Sequence, residues 1–138
     1  MTEAEIALAR EAVVCKHWEW LDGSLSYWDQ APEHGGNTIR FRASVGKPHN
    51  DPWFQPEKGR WRLVGPVFSD DATRGALLGL VRRAFNKPGI YVRRRHGLGD
   101  HRAWACFDDG EPLMGTHGDT FTGPTEAAAL VAALKAAP

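Results

Sequence analysis

Arg93, Arg94 and Arg95 are the densest chemical feature of the chain, with Arg82, Arg83 and Arg102 nearby in sequence and Tyr91 and Trp104 interleaved. Guanidinium groups at such spacing can neutralise phosphates, while the rings offer stacking platforms for bases. Arg, Trp and Tyr are equally the residues enriched at protein–protein hot spots. A third account is a solvated sheet face, with the arginines paired to Asp100 and to the acids of the 108–111 turn. Lys plus Arg number 17, as do Asp plus Glu, so no overall field draws the chain to nucleic acid or to a membrane surface.

Other chemistries are weaker. A metal centre needs three or four convergent ligands. Cys15 with His17, His49 with Asp51, and His96 with His101 form only pairs, and none has a zinc spacing. A hydrolase needs a nucleophile with an oriented base, and neither G-x-S-x-G nor H-E-x-x-H occurs. Gly97 and Gly99 precede a strand rather than a helix, so they do not cradle phosphates. Asp108, Asp109 and Glu111 are explained by a solvated hairpin turn. The chain therefore reads as non-enzymatic, with no metal and no cofactor. Cys15 and Cys106 lie among apolar or aromatic neighbours and read as buried free thiols. They do not make a disulfide framework.

The elements that position the arginines are well marked. Ser69, Asp70 and Asp71 supply N-cap side chains and first-turn negative charge for a central helix. Leu77, Leu78, Val81, Ala84 and Phe85 form its apolar stripe. Asn86-Lys87-Pro88-Gly89 ends it, Pro being unable to continue a helix and Gly tolerating the turn. Tyr91–His96 and His101–Phe107 then make a hairpin about Gly97–Asp100. Along it, Tyr91, Arg93 and Arg95 face one side, and Val92, Arg94 and His96 the other. Consecutive arginines must therefore point to both sheet faces, which predicts a hairpin end with both faces wet.

At 138 residues the chain is long enough for one domain burying roughly two-thirds of its unfolded surface. Thr2 and Glu5 match a capping box, with Ile6, Ala9 and Val13 as a helical stripe reaching about Cys15. Trp18-Glu19-Trp20 fits either a strand start or the last turn of that helix. Leu21–Ser24 is a turn, residues 29–37 a loop, and Thr38–Val45 a strand with alternating faces. Lys47–Gly59, with Pro48, Pro52 and Pro56, is a long loop carrying Trp53 and Phe54, a second candidate contact surface. Arg60–Val64 alternates as a strand, interrupted by Gly65 and Pro66. Asp108–Glu111 is a hairpin turn, and Leu113–Met114 and Thr120–Thr122 are extended. Thr122 or Gly123 caps a terminal helix with Pro124 in its first turn, buried along Ala127, Leu130, Val131 and Leu134. With Glu3, Glu5 and no long apolar run, the N-terminus reads as neither a signal peptide nor a membrane span, and the cytoplasm is the expected location.

Three of these segments resemble small phage and prophage proteins of the α-β-α ("ABA") sandwich type. They are Cys15–Gly23, Asp70–Phe85 and Gly123–Leu134. The resemblance implies a phage accessory protein and brings no catalytic residue with it. Neither the 46–59 loop nor the Arg hairpin matches the family pattern. The expected fold is α+β, a mainly antiparallel sheet of about five strands packed with three helices (N-terminal, central and C-terminal). The expected function is binding of a protein partner, such as a host factor, through Arg93, Arg94, Arg95, Arg102 and Trp104, or through Trp53 and Phe54. The alternative partner is nucleic acid, on the Arg-rich hairpin 91–107.

Overall fold

The computed structural model describes residues 1–29, 36–41, 62–95 and 103–138. Among these residues are three helices and two antiparallel sheets, the expected α+β class. The helices are α1 (Glu3–Val13), α2 (Asp71–Phe85) and α3 (Glu126–Ala136). The strands are β1 (Leu25–Asp29), β2 (Gly36–Arg40), β3 (Arg62–Pro66), β4 (Ile90–Arg94), β5 (Trp104–Asp108), β6 (Glu111–Pro112) and β7 (Thr122–Gly123). They divide into a sheet ordered β2-β1-β3 and a second ordered β4-β5-β6, with β7 also on β5. The chain forms two compact units, Met1–Val14 with Glu19–Ala76, and Cys15–Trp18 with Leu77–Pro138.

In the first unit, Thr2 and Glu5 close the expected capping box on α1: Thr2 N donates to Glu5 Oε2 and Glu5 N to Thr2 Oγ1. The helix stops at Val13, two residues short of Cys15. Ala9 and Ala12 are fully buried, and Gly65 of β3 approaches so closely that a Cβ there would stand 2.8 Å from Ala9 Cβ. Alanine and glycine at this crossing let helix and strand meet without a side chain between them. β3 runs on through Gly65 and Pro66 instead of ending at Val64. Among the described strands it lies at the sheet's edge, where a missing N–H is tolerated, and Pro66 pairs with Ser26 beyond a register shift between Tyr27 and Trp28. Residues 18–20 form neither strand nor helix. β2 begins at Gly36, earlier than the expected Thr38. Residues 42–61, with Trp53 and Phe54, lie outside the described residues, as do 96–102, with His96, Asp100, His101 and Arg102.

One charged network ties the start of α2 to the first sheet. Asp70, rather than Ser69 or Asp71, caps the helix, accepting from Thr73 N at 3.0 Å and Thr73 Oγ1 at 2.8 Å. Thr73 is fully buried, and its hydroxyl accepts from Leu25 N at 2.7 Å. Arg40 grips both Asp70 oxygens in a fork at 3.0 and 3.1 Å and donates to Gly23 O. These hydrogen bonds, Arg40 first and then Thr73, hold the Asp70 carboxyl well below its ordinary value of 3.8, against the opposing effect of burial. A depressed folded value means that the stabilisation is complete above 3.8 and disappears as pH falls towards the folded value. Asp70→Asn keeps a competent cap but removes the charge. Its melting temperature should fall below the parent's at neutral pH, and the gap should begin to narrow below about pH 4 and close only as pH approaches the folded value. A gap independent of pH would show that the carboxylate is not the source.

In the second unit, Leu77 and Val81 are buried as expected, but Leu80, 1% exposed, replaces Leu78 in the stripe. Phe85 is half-buried, its ring 6.0 Å from that of Phe121. Asn86, at φ 53°, takes the left-handed position that ends α2, a role expected of Gly89. Asn86 N donates to Arg83 O and Lys87 N to Arg82 O, a Schellman closure. At the terminal helix, Thr125 is the N-cap, accepting from Ala128 N, so Pro124 precedes the cap instead of opening the helix. Leu130, Val131 and Leu134 are buried, as expected.

Candidate functional site

The β4–β5 ladder pairs Tyr91 with Phe107, Arg93 with Ala105, and Arg94 with Trp104, and Arg95 N donates to Ala103 O at 2.8 Å. Strand alternation then sends Tyr91, Arg93, Ala105 and Phe107 to one face, and Val92, Arg94, Trp104 and Cys106 to the other. The second face is the one that meets α3, because Cys106 Sγ donates to Ala129 O at 3.5 Å. Asp109 at φ 51° and Gly110 at φ 78° supply the tight Asp-Gly turn that joins β5 to β6 and fixes this register.

All three arginines are exposed, on both faces, as the alternation requires. The Arg93 guanidinium lies 4.3 Å from the centre of the Phe107 ring, and that of Arg94 lies 5.4 Å from Trp104. Tyr91 stacks on Phe107 with centres 5.7 Å apart. A cation over a ring face is attracted by its quadrupole, so each ring holds an arginine in place and leaves its outer N–H groups free to bond elsewhere. Of the acids expected to neutralise the arginines, Asp100 lies outside the described residues, and those of the 108–111 turn do not reach them. Asp108 pairs with Lys87 at 3.8 Å, and no ion pair joins Arg93, Arg94 or Arg95 to an acid among the described residues. Arg82 takes a different part: its Nε donates to Ile90 O at 2.8 Å and covers the start of β4. It is a structural residue set apart from the cluster.

A pocket of about 160 Å³ opens on the Arg93 face. Arg93 and Arg95 of the hairpin form one wall, Thr120 and Thr122 the other; Ala105 and Phe107 form the floor, with Pro112 at the margin. Its origin is a matter of side-chain height. Ala105 is the small residue between Arg93 and Thr122, its cross-strand partners on either side. Thr120, Thr122, Pro112 and Ala105 are site residues that sequence reasoning did not single out. Only the pairing of β7 with β5 brings the threonines to the arginines, and that pairing spans too many residues to be local.

Cys15, His17 and Cys106 are engaged in the fold. Cys15 Sγ donates to Leu134 O at 3.4 Å, and His17 Nε2 lies 3.2 Å from Ala137 O, both at the C-terminal end of α3. Cys106 is fully buried, and burial pushes its thiol up to about 12. It is therefore a poor nucleophile. Both cysteines are free; Cys106 is buried as expected, whereas Cys15 is only half-buried. Among the described residues no three or more His, Cys, Asp or Glu side chains are grouped to hold a metal ion, and no helix is long and apolar enough to cross a membrane. Comparison with protein-family models, curated proteins and solved structures finds no match to the chain.

Proposed function

We propose that the chain is a non-catalytic accessory protein of the phage or prophage type, acting by binding a protein partner through the arginine face of the β4–β5 hairpin. One observation carries this reading. Arg93, Arg94 and Arg95 are exposed and unpaired with acids among the described residues, and two of them are held over rings. A fold gains little from three consecutive charges that offset no others among the described residues, whereas arginines presented on aromatic supports are the residues of interface hot spots. The phage assignment rests on the resemblance of the 15–23, 70–85 and 123–134 segments.

The aromatic geometry favours protein over nucleic acid. Base stacking needs open ring faces. Phe107 is 6% exposed, with Tyr91 and Arg93 lying against it, and Trp104 is half-buried with Arg94 above it. The rings are thus already stacked within the chain. A net charge of zero also argues against phosphate tracking.

Capture from host lysate tests the assignment. The parent chain should retain a specific protein after nuclease treatment, and a variant with Arg93, Arg94 and Arg95 all changed to Gln should lose it. Loss of capture by the parent on nuclease treatment, with steep salt dependence, would instead assign the surface to nucleic acid.

A further inference from the structure

We infer that the pocket between Arg93, Arg95, Thr120 and Thr122 is a receptor for a single carboxylate side chain, a glutamate of the partner. The inference rests on the protein-binding reading above and names the chemistry that the surface recognises. Size is the first argument. A single water needs only ~10–15 Å³, whereas drug-sized ligands occupy ~300–1,000 Å³, and this pocket holds about 160 Å³. It suits one side chain rather than a nucleotide or an extended cofactor.

Charge and shape select the side chain. Arg93 lies on β4 and Arg95 just past its end, two residues on, so their backbones are about 6.5–7 Å apart and both residues line the same pocket. Guanidinium forks match a carboxylate in two parallel hydrogen bonds. Thr120 and Thr122 add hydroxyl donors from the opposite wall. The floor, Ala105 and Phe107, is already nearly covered, but Pro112 at the margin is an exposed apolar surface. A ligand that fits therefore carries a short apolar stem to lie against Pro112 and ends in an anion. Glutamate has that form, whereas inorganic phosphate has no stem to set there.

The probe is N-acetyl-glutamate methylamide, titrated into the full chain and followed by amide chemical shifts, with inorganic phosphate and N-acetyl-glutamine methylamide run in parallel. Saturable shifts confined to Arg93, Arg95, Ala105, Thr120 and Thr122 are expected with the glutamate compound, and at least tenfold weaker binding with the glutamine compound. Ala105→Leu fills the floor while leaving every charge in place, and should abolish binding. If that variant fails to fold, Thr122→Val, which removes a donor at nearly constant volume, should weaken binding at least threefold. The inference is overturned if the glutamate compound gives no saturable shift, if phosphate binds as well or better, or if Ala105→Leu folds and binds like the parent. Failure here with retained nuclease-resistant capture would remove the pocket and leave the protein-binding surface. Glutamate binding without capture of any protein would do the reverse.

Discussion

Trp28→Ala should destabilise the chain by about 3–5 kcal/mol, the range for removing a buried large aromatic side chain. Trp28 is 2% exposed and is the largest fully buried side chain among the described residues. It stands on the middle strand of the β2-β1-β3 sheet, paired with Asn37 on one side and Leu63 on the other. Its Nε1 donates to Ser26 Oγ at 3.0 Å, and Ser26 is itself fully buried, so the indole fills volume and also orients a buried hydroxyl. Alanine cannot do either. Trp28→Phe keeps most of the apolar volume and should cost much less. Denaturant melts of the three chains give the comparison. A loss below about 1 kcal/mol for Trp28→Ala would contradict the central place given to β1, since surface substitutions fall in that range.

Gly123→Ala should cost about 2–3 kcal/mol through overpacking. A Cβ at this position would stand 2.5 Å from Ala128 Cβ and 2.9 Å from Ala128 C and Ala129 N. The obstacle is the backbone of α3 itself, held by the Thr125 cap, so no flexible side chain can swing aside. Either β7 or the helix must move. Movement of β7 would carry Thr122 with it and disturb the pocket wall. Gly75→Ala is the matched control. Gly75 is an exposed position of α2 with open space where its Cβ would be, and alanine there should stabilise by about 0.5–1 kcal/mol. Equal melting of Gly123→Ala and the parent would show that β7 does not press on α3 as described.

Much of the fold is legible in the residues, for identifiable reasons. The capping box at Thr2 and the Asp-Gly turn at 109–110 are local signals with a fixed backbone consequence, and the 86–89 segment marks the end of α2 although Asn86, not Gly89, takes the left-handed position. β1 is not legible, because its buried face pairs Ser26 with Trp28 while Leu25 and Tyr27 alternate on the other, so apolar alternation points both ways. The division into two sheets follows from long-range pairing, which local periodicity does not encode. Gly65 and Pro66 read as breakers, yet an edge strand accommodates both. At the candidate site, the outward alternation of Arg93, Arg94 and Arg95 is visible in sequence. Their stacking on Phe107 and Trp104 depends on the register of β5. The threonine wall depends on β7, a two-residue strand too short to leave a pattern.

The most direct test of the arginine face compares the parent with the chain in which Arg93, Arg94 and Arg95 are all Gln, measuring melting temperature and affinity for the captured protein together. The arginines offset no acid among the described residues and are exposed, so the melting temperature should be nearly unchanged, while affinity should fall at least tenfold, about 1.4 kcal/mol. A variant that folds and binds as tightly as the parent would contradict the account and move the contact surface away from this hairpin.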